Sequence, residues 1–208
     1  KSELIDGVII LSLAKLARGN FMAVPVFNVM NTVKKNKYTY EYASWKFGPY
    51  PGSKGVVLVE TKGEITHVVL LKGPKFATGS REVYDTPGGF IEPGEDGKTD
   101  MKEGIKREAS EELGVKNLEI KKVYDLGRFL TDTGMTNNNP HLYAAVISSM
   151  EAKKIKDQVD NLDPYELKAS LLVLPISSLK DVVIETEDAY FLAVVAKLDA
   201  LGVINLNG

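Results

Sequence analysis

The chain has 208 residues, enough for one substantial domain with an attached segment. Its formal net charge of −2 gives no general electrostatic attraction to nucleic acid, so we expect no nucleic-acid partner. The chain contains no cysteine, which excludes disulfides, thiolate catalysis and cysteine-based zinc sites. A cysteine-free chain is compatible with the cytoplasmic location that we expect.

The N-terminal segment 2–18 contains an apolar run that is too short and too charged to span a membrane. We therefore expect no membrane association, and a signal peptide is a weaker alternative because its charged leading region and cleavage site are not well formed. Apolar residues recur in this segment at helical spacing, and Gly19 would end such a helix. The residues of this stripe are Ile5, Ile9, Leu13 and Leu16.

The remainder of the chain has the pattern of short strands mixed with a few helices. Both histidines, His67 and His141, lie in apolar, strand-like runs, which favours ordinary packing positions over metal ligation. The polar segment 148–163 predicts a mobile loop in which a short helix can form, and a final helix is expected from about 187 to 201. The predicted strands are 38–45, 56–59, 68–71, 121–124, 142–147 and 171–174.

A further helix, predicted from about 100 to 113 and ended by Gly114 in a left-handed conformation, carries an unusual concentration of acidic residues. Glu108 is followed by glutamates three and four residues later, so three carboxylates share one helix face. Such carboxylates repel one another, and a hard cation such as Mg²⁺ or Mn²⁺ would reverse that penalty. The alternative to a metal site is that these carboxylates form an ordinary acidic face exposed to solvent. The opposite face is apolar, and it consists of Met101, Ile105, Ala109 and Leu113.

This helix and the glycine-rich loop before it resemble the Nudix box. Gly89 and Glu95 match the first half of that motif at the family spacing. Eleven residues separate Glu95 from Arg107 where the family has seven, and we expect the four extra residues in the turn-rich run 96–100. The second half matches in full at Arg107, Glu108, Ala109, Glu111, Glu112, Gly114 and Val115.

The resemblance implies an α/β (α+β) fold, a Nudix-type α/β/α sandwich with a mixed sheet. The expected organisation is an N-terminal helix/strand extension at 1–50 and a hydrolase domain at 51–208. Proteins of the subgroup considered below commonly dimerise through such an extension, so a homodimer is expected. The implied activity is metal-dependent hydrolysis of a nucleoside diphosphate linked to another group, with Mg²⁺ as the metal and Mn²⁺ as the alternative.

The resemblance also assigns roles to individual residues. It implies that Glu108, Glu111 and Glu112 bind metal together with the backbone carbonyl of Gly88, and that Arg107 orients a neighbouring glutamate. In related pyrophosphatases a glutamate on a loop before a late strand acts as the general base. The best-placed counterpart is Glu166, with Asp163 next. Metal-bound hydroxide that needs no protein base is the alternative.

The nature of the linked group is suggested by segment 127–137, which resembles part of the ADP-ribose and ADP-sugar pyrophosphatases. Thr133 stands where that subgroup often has proline, and Gly134 follows it. A plain turn between strands is an equally good interpretation. Trp45 is a candidate for stacking on a base, and Arg81 for contacting a diphosphate, although packing and surface charge are the default interpretations.

Two other functional classes stay open. The first is a Nudix hydrolase that acts on dinucleoside polyphosphates, NADH or capped RNA. The second is a non-catalytic Nudix-like domain that senses a nucleotide sugar, against which the intact carboxylates argue.

Overall fold

The computed structural model describes residues 4–5, 7–45, 52–79, 81–89, 101–155 and 169–206, without the side chains of 4, 5, 101–105 and 108. The chain divides into two compact units. The N-terminal unit comprises 1–51 together with 130–140, and the larger unit comprises 52–129 together with 141–208. None of the described helices is long and apolar enough to cross a membrane.

The N-terminal unit contains an antiparallel sheet in the order β1-β2-β3-β4, with β5 also paired to β3. The tight connection between β2 and β3 is closed by the Gly19 amide, which donates to the Met22 carbonyl at 2.7 Å. The predicted strand 38–45 is confirmed as two strands separated at 42–43. The strands are β1 (Leu4–Ile5), β2 (Val8–Arg18), β3 (Met22–Asn31), β4 (Lys37–Glu41) and β5 (Ser44–Trp45).

The predicted N-terminal helix is wrong, because this segment forms the long strand β2. A spacing of four, as between Ile9 and Leu13, fits a strand as well as a helix, since four is also a multiple of the strand period of two. The pairing of β2 with β3 shifts register between Ile10 and Ser12 and again between Leu13 and Lys15. These irregularities, typical of β-bulges, break a simple alternation and leave an apolar pattern that imitates a helix.

The larger unit contains a mixed sheet in the order β11-β7-β6-β10-β9, with β8 also paired to β7. The β6–β10 pair is parallel, and the other described pairs are antiparallel. All the strands predicted in this unit are confirmed, whereas β8 was not predicted. The strands are β6 (Ser53–Thr61), β7 (Glu64–Lys75), β8 (Arg81–Asp85), β9 (Ile120–Arg128), β10 (His141–Ser148) and β11 (Ser170–Pro175).

Helices cover both faces of this sheet, because its strands are apolar on both sides. Val56 and Leu58 of β6 pack with α3 and α4 on one face. Val57 and Val59 pack with α1 on the other face. The result is the expected α/β/α sandwich. The helices are α1 (Met101–Glu112), α2 (Ser149–Ala152), α3 (Leu179–Glu185) and α4 (Ala189–Ala200).

The last helix and the short helix in the polar segment confirm two further predictions, whereas α3 was not predicted. Ser148 accepts a hydrogen bond from the Glu151 amide and so caps α2. The rest of that segment, from 156 to 163, lies outside the described residues. His67 lies in β7, and His141 begins β10, where its Nε2 atom is 2.5 Å from an Asp125 carboxylate oxygen.

Candidate active site

Helix α1 is fixed to the sheet by its apolar face. Ala109 is 0% exposed and Leu113 is 1% exposed, and both belong to the core on that side of the sheet. The remaining members of the predicted stripe, Met101 and Ile105, have side chains outside the described set. Gly114 has a φ of 63° and ends the helix in the left-handed conformation, as its position predicted. The acidic face of the helix is thereby turned away from the core.

The loop 86–89 is bound along β6 by backbone hydrogen bonds. The amide of Ser53 donates to the Gly89 carbonyl at 3.1 Å, and the amide of Gly55 donates to the Pro87 carbonyl at 2.9 Å. A Cβ atom at Gly88 would lie 2.3 Å from the Ser53 carbonyl oxygen. Only glycine fits at position 88 without a shift of backbone, so the close approach of this loop to β6 depends on it.

One hydrogen bond joins this loop to α1. The Gly88 amide donates to Glu112 Oε1 at 3.1 Å. The sequence had assigned both residues to the metal site, Gly88 through its carbonyl and Glu112 through its carboxylate. The structure therefore brings the backbone of the loop and the end of the acidic helix together.

Arg107 lies one helical turn before Glu111, and its Nη1 atom is 3.4 Å from Glu111 Oε2. Arg107 thus contacts a glutamate of the motif, while its role in orienting that glutamate stays a prediction. The Glu111 side chain is 60% exposed, so the pair contributes little to stability. Exposure also leaves this carboxylate accessible to a ligand from solvent.

The donors at this site fit a hard divalent cation. Glu111 and Glu112 offer carboxylate oxygens beside the backbone of the loop, and oxygen donors of this kind are the ligands that Mg²⁺ and Mn²⁺ take in proteins. Among the described side chains no group of three acidic or histidine residues comes together. The third expected ligand, Glu108, lies on α1, but its side chain is outside the described set.

A charge cluster around a buried aspartate, three residues before Gly88, lies at the base of the loop. The Asp85 carboxylate forms an ion pair with Lys75, lies 3.8 Å from Lys54 Nζ, and accepts a hydrogen bond from the Thr86 amide at 2.8 Å. Burial by itself raises the pKa of Asp85, but the two lysine charges and the hydrogen bonds outweigh it and lower the pKa below its ordinary value. The cluster joins β6, β7 and β8 directly beneath the loop.

Asp188 is a partly buried carboxylate near this cluster. It caps α4 by accepting a hydrogen bond from the Phe191 amide at 2.5 Å. Burial raises the pKa of Asp188, and the negative charge of Asp85 adds to this effect. Sequence reasoning missed both aspartates. Asp85 ends a strand that was not predicted, and Asp188 lies at the start of the predicted last helix, where an acidic residue looks like ordinary surface charge.

Two of the expected substrate-binding residues lie in the N-terminal unit. The Trp45 ring is 5% exposed and stacks on Phe21 with ring centroids 5.9 Å apart. The Gly134 carbonyl accepts a hydrogen bond from the Tyr40 hydroxyl at 2.9 Å. The Gly134 amide donates to Asp132 Oδ1 at 2.7 Å, so segment 132–135 forms the turn that was one interpretation of its sequence. Binding of substrate by either residue stays a prediction.

The other expected site residues are placed differently or are not described. Arg81 begins β8 and forms a two-pronged ion pair with the exposed Glu187, at 3.1 and 2.8 Å. Glu95, Asp163 and Glu166 lie outside the described residues. The role of Glu166 or Asp163 as general base, and the place of Glu95 in the motif, therefore stay predictions.

A comparison with protein families identifies the class of this protein. The model of the NUDIX domain matches residues 49–191, which is more than half of the chain. The chain therefore belongs to the Nudix family, and it is a hydrolase of that family. A search of curated proteins found no match.

Solved structures include a similar fold. The crystal structure of an ADP compounds hydrolase superimposes with a TM-score of 0.67 and 16% sequence identity, covering 98% of this chain and 100% of that one. At this identity the likeness supports the fold of the protein, and it leaves the substrate to be argued from the site.

Proposed function

We propose that the protein hydrolyses the pyrophosphate bond of a nucleoside diphosphate linked to a second moiety, with ADP-ribose or a nucleotide sugar as substrate. The observation that carries this proposal is the contact of Gly88 with Glu112 inside a family motif whose second half matches in full. The resemblance of segment 127–137 to the ADP-ribose and ADP-sugar pyrophosphatases and the fold shared with an ADP compounds hydrolase support the choice of substrate.

The residues proposed to hold the metal are Glu108, Glu111, Glu112 and the carbonyl of Gly88. Mg²⁺ is the proposed ion and Mn²⁺ the alternative. When bound, such ions neutralise the phosphate charge and lower the pKa of a coordinated water. The protein supplies the orientation, because Arg107 contacts Glu111 and the Gly88 amide contacts Glu112.

The proposed general base is Glu166, with Asp163 as the next candidate. The glutamates of α1 are poor bases if they hold metal, since a cation depresses the pKa of its carboxylate ligands. Glu166→Gln should lower kcat strongly with little change in KM or in metal affinity. Near-normal kcat across the pH range would eliminate Glu166 and direct the search to Asp163 or to metal-bound hydroxide alone.

The proposed substrate contacts are Trp45, Arg81 and Gly134. Trp45 can stack on a base only if Phe21 moves from its ring, and Arg81 can exchange Glu187 for phosphate because exposed ion pairs are weak. The chain has 1 tryptophan, so its fluorescence reports on this ring directly. Titration with ADP-ribose in EDTA should change the emission in the wild type. Unchanged emission at saturation would remove Trp45 from the base site.

We further propose that the extension at 1–50 forms the interface of a homodimer. The N-terminal sheet has exposed apolar side chains in β2, including Leu13 at 52%, and exposed aromatic rings at Phe21 and Tyr40. Light scattering should give twice the 22.8 kDa chain mass. Leu13→Glu should shift the mass toward one chain, whereas Leu201→Glu, an exposed position of the larger unit, should not. A wild-type protein with the mass of one chain would contradict the dimer.

A substrate panel tests the proposed reaction. ADP-ribose, other nucleotide sugars, dinucleoside polyphosphates, NADH and capped RNA are each incubated with the protein and Mg²⁺. Turnover of ADP-ribose should give AMP and ribose phosphate. Turnover of dinucleotides or capped RNA without turnover of nucleotide sugars would contradict the substrate class. Tight binding of a nucleotide sugar with no hydrolysis of any compound would instead support the sensing domain.

A further inference from the structure

The peptide group between Pro87 and Gly88 forms hydrogen bonds through both its carbonyl oxygen and its N–H group. Its carbonyl oxygen accepts hydrogen bonds from the Gly55 amide at 2.9 Å and from the Tyr143 hydroxyl at 3.4 Å. Its N–H group, which belongs to Gly88, donates to Glu112 Oε1. The two partners on the carbonyl occupy its two lone pairs, and they also strengthen the N–H as a donor because hydrogen bonds in a chain polarise one another.

Tyr143 reaches this peptide from the middle of the sheet. It lies in β10 directly opposite Gly55 in the parallel β6–β10 register, and it is 0% exposed. A Cβ atom at position 55 would lie 2.6 Å from two carbon atoms of the Tyr143 side chain. The absence of a side chain at Gly55 is therefore what lets the tyrosine ring lie across β6 and bring its hydroxyl to the loop.

We propose that Tyr143 is a positioning residue for the metal site, which fixes the Pro87–Gly88 peptide so that this peptide holds the Glu112 carboxylate in its ligand orientation. Because Tyr143 is 0% exposed, its proposed effect on the site passes through the Pro87–Gly88 peptide. The inference rests on the proposed metal site. Loss of the hydroxyl should weaken metal binding, because partners that orient a ligand typically account for about 10–100-fold in metal affinity.

The test is Tyr143→Phe, which keeps the ring in its place and removes only the hydroxyl. Mn²⁺ binding is measured from the EPR signal of the free ion, without substrate. We expect the Kd for Mn²⁺ to rise about tenfold. The matched control is Tyr124→Phe, in the neighbouring strand β9, because that ring packs on the opposite face of the same sheet. The control should bind Mn²⁺ with wild-type affinity.

A second measurement follows the peptide itself. In a ¹⁵N-labelled protein the amide proton of Gly88 should move upfield in Tyr143→Phe as its bond to Glu112 weakens, and it should not move in Tyr124→Phe. Wild-type Mn²⁺ affinity in Tyr143→Phe, or an unmoved Gly88 amide, would overturn the positioning role while the metal site stands. A wild-type protein that binds no Mn²⁺ would overturn the metal site and this inference together.

Discussion

At the scale of single residues, the charged groups beneath the loop 86–89 differ from those on α1 in burial and in the strength of their ion pairs. Asp85 is buried and has two lysine partners, whereas Glu111 is exposed and has a weak one. The stability of a buried carboxylate depends on its charged partners, because a charge that loses its partner inside the protein is poorly solvated. Asp85 therefore belongs to the support of the loop, whereas the glutamates of α1 are the residues proposed to hold the metal.

Asp85→Asn should lower the free energy of unfolding by about 2 kcal/mol at pH 7. A broken buried pair can cost about 3–5 kcal/mol, and we expect less here because Lys75 and Lys54 both reach solvent. The folded-state pKa of Asp85 is lowered, so its contribution is complete above the unfolded value near 3.8 and is lost as the pH falls through the folded value.

Urea denaturation of the wild type and of Asp85→Asn at pH 7 and below pH 3.8 measures both effects. Asp125→Asn is the control, because its side chain is 60% exposed, and it should cost well under 1 kcal/mol, roughly the scale of an exposed pair. An equal cost for the two substitutions, or a cost at Asp85 that does not shrink in acid, would contradict the argument.

Asp188 should behave in the opposite way. Its folded-state pKa is raised, so the stability of the wild type falls as the pH rises from the unfolded value near 3.8 through the folded value. Asp188→Asn keeps the helix cap and removes the partly buried charge, and it should be at least as stable as the wild type at pH 7. Asp188→Ala loses the cap and should cost about 1 kcal/mol. Thermal unfolding of the wild type and of both variants measures these differences in stability. Equal losses of stability in Asp188→Asn and Asp188→Ala would contradict a destabilising effect of the Asp188 charge.

At the scale of elements, the sequence predicted a strand or helix correctly where its apolar pattern fitted only one of the two. The strands β6, β7 and β10 are continuous apolar runs, and such runs are typical of strands buried on both faces. The helix α1 was predicted from its apolar stripe and its terminating Gly114. The strand β2 was not, because the Ile9–Leu13 spacing fits both periods and its bulges hide the alternation.

Helix α1 should depend on its buried stripe for stability. Leu113→Ala should lower the free energy of unfolding by about 3 kcal/mol, through lost transfer energy and the cavity that remains. Leu192→Ala is the matched control, because Leu192 is 37% exposed on α4 and should cost under about 1 kcal/mol. Urea denaturation of the two variants measures the difference. Similar losses would show that α1 is not anchored through this face.

At the scale of the whole molecule, the motif predicted the candidate site better than the support around it. Spacing in the sequence places Glu111 and Glu112 on one helix, and the structure confirms that helix. The contact of Gly88 with Glu112 and the pairing of Asp85 with Lys75 join residues far apart in the chain. Such contacts depend on strand order and register, which local patterns do not specify.

The acidic end of α1 is proposed to make this protein a divalent-metal-dependent hydrolase. The test is the rate of ADP-ribose hydrolysis in Mg²⁺ and in excess EDTA, for the wild type, for Glu112→Gln and for Glu82→Gln, a control at an exposed position of β8. We expect AMP and ribose phosphate from the wild type and from Glu82→Gln in Mg²⁺, none in EDTA, and a loss of orders of magnitude in kcat for a folded Glu112→Gln. Wild-type turnover in EDTA, or full activity of Glu112→Gln, would contradict the account.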